Sequence, residues 1–429
     1  MLLSPMMKQY MAIKEQYKDC LLFFRLGDFY EMFFDDAIVA SRELELTLTG
    51  RDCGLKDRAP MCGVPFHSVE TYISKLIEKG YKVAICEQTT LPEESKGIVE
   101  REVTRVITPG TVIDANMLDE GRNNYIACVY LNNTPTDFEL GLSWSDISTG
   151  EFNYLEIRQD PLNQLNEALV RISPSEIICN EEMLTQSYSL NAVKFNQIPK
   201  FNVYYEWAFD YDNSYQKLAQ NDSQALIDKS KRLAVIASGA LIEYLTDTQK
   251  RPITYLNGFN DYKENNFLIL DNTERRNLEL FETITERKKR GSLLGVIDCT
   301  KTSMGARMLR RWLEQPSVNS QIINLRLNGV EELVNNPILR ETLIKSLSKI
   351  NDIERLSSKI AYGSINPREC IAISNSLTNV ENVFNCIAQS QSKILYDLYQ
   401  NYNGVEDIIY LINNAIDDNT PAVLKDGGY

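Results

Sequence analysis

The sequence predicts an α/β multidomain protein that becomes mainly α-helical toward its C-terminal end. Three observations carry this. Short apolar runs alternate with amphipathic stretches through the first 120 residues, and the alternation restarts after a polar interval at residues 114–124. Beyond residue 270, Leu/Ile stripes at helical spacing are separated by charged residues. A length of 429 residues allows two to four units, each with its own core. The expected boundaries are 1–120, a mixed α/β unit; 121–250, a second α/β unit; and 251–429, helical.

In the first unit, Ser4-Pro5 opens a helix that collects Met7, Tyr10, Met11 and Ile13 largely on one side. Residues 20–25 read as a buried strand, and after Glu31 the chain turns helical through Ala37, Ile38, Ala40 and Leu44. Ser68 is an expected N-cap. Val69, Tyr72, Ile73, Leu76 and Ile77 follow at i, i+3, i+4, i+7 and i+8, and Gly80 is the stop. His67, just before the cap, reads as a partly buried loop residue. Residues 83–86 return as a strand.

The second unit begins with a strand at 125–131. Strands at 139–144 and 150–154 flank Asp146-Ile147-Ser148-Thr149, which has the composition of a turn. A helix at 162–172 and a strand at 176–179 follow. Residues 182–225 have no period and read as irregular, whereas 230–245 reads as an amphipathic helix. In the third unit Pro316, Pro337 and Pro367 mark breaks between helices, and Trp312 reads as core. The basic run Arg287-Lys288-Lys289-Arg290, with Arg310 and Arg311 nearby, could meet nucleic acid, but the default reading is a solvated helix end.

Composition is that of an ordinary folded protein, 43% hydrophobic and 24% charged. The net charge of −14 opposes nucleic-acid binding, because neutralising phosphates with Lys and Arg supplies most non-specific affinity. Residues 1–120 are themselves acidic, with 14 Lys and Arg against 20 Asp and Glu. Net charge constrains long-range attraction more than a local field, so Arg25, Arg51, Lys56 and Arg58 can still form a positive rim. The nine cysteines have no C-x-x-C spacing and His67 is the single histidine, which excludes common Cys/His zinc sites and most His-based triads. No apolar run approaches the ~20 residues of a membrane helix, and no secretory leader pattern opens the chain, so a cytoplasmic location is expected. The phosphate-binding pattern G-x-x-x-x-G-K-[ST] does not occur, nor does any Gly-Lys dipeptide.

The most informative residues are Phe29 and Glu31, directly after the strand at 20–25. Side chains two apart share a face only on extended or turning backbone, so both would point one way while Tyr30 faces the core. The octet 27–34, Gly-Asp-Phe-Tyr-Glu-Met-Phe-Phe, resembles the Gly-Asp-Phe-Tyr-Glu-x-Phe segment of the MutS family, proteins that sense mismatched base pairs. The resemblance continues in order through Pro60–His67, Lys82–Gln88 and Val103–Thr111, and resumes at Arg275–Leu280, Gly291–Asp298, Met304-Gly305 and Arg310–Leu313.

It implies a mismatch-recognition domain, a ribonuclease-H-like connector domain and the first part of a helical core/lever region. Phe29 would be a stacking wedge in the minor groove of mismatched double-stranded DNA. Glu31 would be a hydrogen-bonding reader of a base edge, useful if a displaced base offers an N–H or if the acid is protonated. Arg25, Arg51 and Arg58 are possible DNA-backbone contacts. The family carries a C-terminal ATPase that uses ATP and magnesium, with much of its homodimer contact. This chain reads as the portion before the clamp and ATPase, with no cofactor, no metal and no catalytic residue of its own, and as a monomer. A downstream MutL-type repair partner would meet the connector. The alternatives are a scaffold or signalling fragment of a relative that does not read mismatches, and a metal-dependent nuclease on the second unit. For the nuclease, Asp146 stands alone, in what reads as a solvated turn, where clustered acids are needed.

Overall fold

Both faces of the strand at the centre of the first unit are covered, which is why its sequence is a continuous apolar run rather than an alternating one. The computed structural model describes residues 3–54, 57–89, 99–135, 137–190, 199–221, 228–256, 258–262, 267–417 and 420–421. In the first unit α1 (Pro5–Gln16) precedes β1 (Cys20–Leu26), β2 (Phe29–Phe33), α2 (Phe34–Leu44), β3 (Thr49–Arg51), β4 (Ala59–Pro65), α3 (Val69–Glu78), β5 (Lys82–Gln88) and β6 (Arg101–Ile107). The strands form one sheet in the order β3-β4-β2-β1-β5-β6, antiparallel except for the β1/β5 pair. Phe23, Tyr30 and Met32 pack with α2 and α3 on one face; Leu22, Phe24 and Phe33 pack with Met7 and Tyr10 of α1 on the other. Asp36, buried between these layers, accepts from the Leu22 amide at 3.0 Å and from the Tyr10 hydroxyl at 3.1 Å, and pairs with Lys14 at 2.9 Å.

The second sheet has the order β11-β10-β7-β8-β9-β12. Its strands are β7 (Ile126–Asn133), β8 (Phe138–Asp146), β9 (Glu151–Ile157), β10 (Glu176–Cys179), β11 (Phe201–Val203) and the short β12 (Asn260–Asp261). The first three are an antiparallel meander, while β10 and β11 add in parallel on the β7 side. Helix α4 (Pro161–Ile172) covers one face. Helix α5 (Glu181–Leu190) follows β10, and α6 (Tyr211–Asn221) packs with α7 (Arg232–Gln249), which covers the other face.

Two expectations fail here. Residues 182–225 are not irregular: β11, α6 and all but the first residue of α5 fall within them, and their short, tyrosine-rich apolar contacts follow no clean period. The helix at 230–245 is not amphipathic. Fourteen of the residues in α7 are buried, because it is wedged between the sheet and α6 and has almost no solvent face.

Helices α8 (Asn272–Asn277), α9 (Leu293–Ile297), α10 (Ser303–Glu314), α11 (Ser320–Asn335), α12 (Pro337–Leu347), α13 (Ile353–Tyr362), α14 (Pro367–Ile387), α15 (Lys393–Gln400) and α16 (Glu406–Ala415) follow among the described residues. Pro337 and Pro367 are first-turn residues, so they start helices in which the missing N–H costs nothing. Asp271 and Asn366 complete reciprocal capping boxes with Glu274 and Glu369. Trp312 is not core: it is partly exposed, with the Arg326 guanidinium 3.7 Å over its ring.

Two buried arginines of this helical region hold the link between the sheets. Arg307 makes two 2.7 Å bonds to the Asp352 carboxylate and donates at 3.1 Å to the Glu120 carbonyl. Arg355 donates at 2.9 Å to the carbonyls of both Asp119 and Arg122. On the first unit's side, the buried Glu176 of β10 accepts from the Gly110 amide at 3.2 Å, from the Tyr244 hydroxyl at 2.7 Å and from the Thr108 hydroxyl.

Candidate nucleic-acid interface

Strands β1 and β2 form a hairpin with Leu26 opposite Phe29, Arg25 opposite Tyr30 and Phe24 opposite Glu31. Its two-residue loop is Gly27-Asp28, and Gly27 has φ of 58°, the left-handed region that L side chains avoid. A Cβ there would meet nothing within 4 Å, so the requirement is conformational and not one of space. Gly27→Ala is therefore expected to destabilise by about 1 kcal/mol. A melting temperature equal to that of the parent would refute this.

Alternation along β2 sets what the hairpin presents. Tyr30 and Met32 enter the core beside α2 and α3, and Phe33 lies against Tyr10 with ring centroids 5.0 Å apart. Phe29 shares the face of Phe33 but stands at the hairpin tip, uncovered, with 48% of its surface exposed. Tyr30 anchors the strand from behind: its hydroxyl donates to Glu87, and burial first, then that carboxylate, push the phenol above its ordinary pKa.

Glu31 is on the same face as Phe29, as its spacing implies, but is less open: its side chain is 16% exposed and its carboxylate pairs with Arg51. Arg51 lies on β3, with β4 between it and β2. Gly63 of β4 stands opposite Glu31 and puts no side chain between the pair. A Cβ there would lie 3.4 Å from Glu31 Cγ and 3.2 Å from the Tyr30 carbonyl oxygen.

The expected positive rim is distributed unevenly. Arg25 stacks 3.8 Å over the ring of Phe66, and its Nε donates to the Gly27 carbonyl at 2.5 Å. Arg51 faces Glu31 and remains partly exposed. Arg58 is exposed and has no ion pair among the described residues. Lys56 lies outside the described residues. Phe66 was not singled out from the sequence, yet it stands half-exposed beside the hairpin, its amide donating to the Asp28 carbonyl at 2.9 Å. The only available clue was an aromatic closing the Gly-Val-Pro-Phe run.

Three local expectations need correction. Ser68 occupies the N-cap position of α3, but its hydroxyl donates to the Pro65 carbonyl at 3.3 Å; a short 3₁₀ turn, Phe66–Ser68, leads into the helix instead. His67, in that turn, is exposed rather than partly buried. Asp146 is fully buried, not solvated. It accepts from the Ser148 amide and hydroxyl at 2.9 and 2.7 Å, and from Asn123 Nδ2 and the Asn124 amide at 3.0 and 3.1 Å. Its lone pairs are used to close the β8–β9 turn and to tie that turn to the link before β7. Among the described residues, no group of three or more His, Cys, Asp or Glu could hold a metal ion. No helix among them is long and apolar enough to cross a membrane.

Two sheet-centred α/β units followed by linked helices, with an exposed ring and a paired carboxylate on one hairpin of the first unit, define a multidomain α/β protein with a helical C-terminal region. Models of MutS domain I, domain II and domain III match residues 4–116, 124–257 and 273–429. The chain belongs to the MutS family. It is 47% identical to the DNA mismatch repair protein MutS of Ruminiclostridium cellulolyticum over 99% of this chain and 48% of that protein. Those of Lachnoclostridium phytofermentans and Acetivibrio thermocellus are 43% and 45% identical, again over 99% of this chain and over 46% and 49% of theirs. The chain thus spans about half the length of the curated relatives it matches.

Proposed function

We propose that this chain reads mismatched duplex DNA, with Phe29 as a wedge and Glu31 as a hydrogen-bond acceptor for a displaced base. The observation that carries the reading is Phe29, an uncovered ring at a hairpin tip in the unit that matches MutS domain I. Inserting a ring from the minor groove unstacks a base step, at about a few kcal/mol, and the cost is least where pairing is already defective. Selectivity then comes from how readily the duplex deforms.

The Arg51 partner answers a difficulty with Glu31. A bare carboxylate beside phosphates repels them, whereas one paired with a guanidinium carries little net charge and still has lone pairs to offer. Arg58, exposed, and Arg51, partly exposed beside Glu31, would meet backbone phosphates, and Arg25 would support Phe66. Glu31→Gln removes a negative charge and leaves Arg51 free to reach phosphate, so affinity for fully paired duplex is expected to stay level or rise severalfold. A lower affinity in a fluorescence titration would count against this role.

The second unit's order, a meander extended on one side by two parallel strands, supports reading it as a ribonuclease-H-like connector. In the longer family protein that connector would receive a MutL-type partner, and the portion beyond would supply ATP turnover with magnesium and homodimer contacts. No step of the reading requires a cofactor, metal or ATP turnover in this chain, acting as a cytoplasmic monomer. The primary experiment is a gel-shift comparison of a G·T duplex with its paired control across several salt concentrations. Equal affinity at every concentration would overturn mismatch reading, because the phosphate contribution would then account for all binding.

A further inference from the structure

A cavity of about 560 Å³ lies between the second unit and the helical region, remote in sequence from the hairpin. The link before β7 contributes Arg122 and the last turn of α4 contributes Arg171; Arg275 and Arg276 come from α8. The following loop adds Arg287 and Lys289, and α10 adds Arg310. Against these seven cations stand Asp119, Glu282 and Glu314, an excess of four positive charges in a chain whose net charge is −14.

Several of these cations already have partners. Arg310 pairs with Glu314 at 3.0 Å, Lys289 with Asp298 at 2.6 Å, and Arg275 donates to the carbonyls of Leu270 and Glu314 at 3.0 and 2.9 Å. Arg276 and Arg287 do not: both are exposed and neither has an ion pair among the described residues. Burial holds Arg275 below its ordinary pKa, with Arg171 and Arg310 adding to the effect and Glu314 opposing it. Such an excess of like charge in a recess is relieved by a bound anion.

We propose that this cleft binds a small polyphosphate anion, with Arg276 and Arg287 as its principal ligands. Its volume is in the usual range for small-ligand sites, and guanidinium groups match phosphate oxygens in bidentate fashion. Its walls belong to two units, so an occupant would draw α4 toward the loop at 281–289. The site is independent of mismatch reading.

The test is calorimetric titration of the chain with inorganic pyrophosphate at fixed ionic strength, on the parent, Arg276→Ala/Arg287→Ala and Phe29→Ala proteins. Saturable binding to the parent is expected, weakened about tenfold or more in the double variant and unchanged in Phe29→Ala. Because Arg276 and Arg287 are exposed and have no ion pair among the described residues, the double variant should fold and keep its DNA affinity. Absent binding, or binding indifferent to the double substitution, overturns the proposal. Displacement of pyrophosphate by a paired duplex also overturns it, assigning the cations to nucleic-acid backbone instead.

Discussion

Phe29→Ala is expected to erase the preference for mismatched over paired duplex while leaving the protein folded. Stacking of a base on an aromatic side chain is worth about 1–3 kcal/mol, so the lost discrimination should be about 5- to 150-fold in relative affinity. The ring is half-exposed and fills no cavity, so thermal stability should change by less than about 1 kcal/mol. The two readouts separate a wedge from a structural residue. A titration in which the variant still prefers the G·T duplex would refute the wedge, and a large fall in melting temperature would return Phe29 to the core.

The second large effect is expected far from DNA. Arg307 is 4% exposed and grips Asp352 through two 2.7 Å bonds while also holding the Glu120 carbonyl. Its further contact to Glu354 counts for less, because that carboxylate is 49% exposed and screened by water. Arg307→Ala leaves Asp352 without its strongest partner and should cost about 3–5 kcal/mol. Arg307→Lys should restore only part of it, since a point charge cannot reproduce the planar fork. Urea denaturation, with hydrogen exchange at residues 119–122, would report both the loss and its place. A cost below about 1 kcal/mol would show that the ion pair is dispensable and that packing alone joins the units.

The elements most legible in the sequence were those whose burial has one clean period. Helix α3 could be read from Val69, Tyr72, Ile73, Leu76 and Ile77, and the β8–β9 turn from Asp146 to Thr149, because each is specified within a few residues. Helix α7 was seen but misjudged: local pattern cannot say that a second helix will cover its far side. Trp312 was misplaced for the opposite reason, since a large apolar residue in a helical stripe looks internal wherever it ends up. Asp146 shows a third limit, in that turn chemistry was recognised while burial of the turn depended on Asn123 and Asn124 arriving from another segment.

For the candidate site, residues 26–34 alone determined that Phe29 and Glu31 share a face and that Tyr30 opposes them, because an extended backbone alternates whatever surrounds it. Only the tertiary structure decided that the ring stays open while the acid meets Arg51, that Phe66 stands alongside, and that seven cations from separate segments line one cleft. Alternation is local geometry and can be read from order; a contact across β4 or between units depends on which strands and helices become neighbours, a property of the whole packed chain.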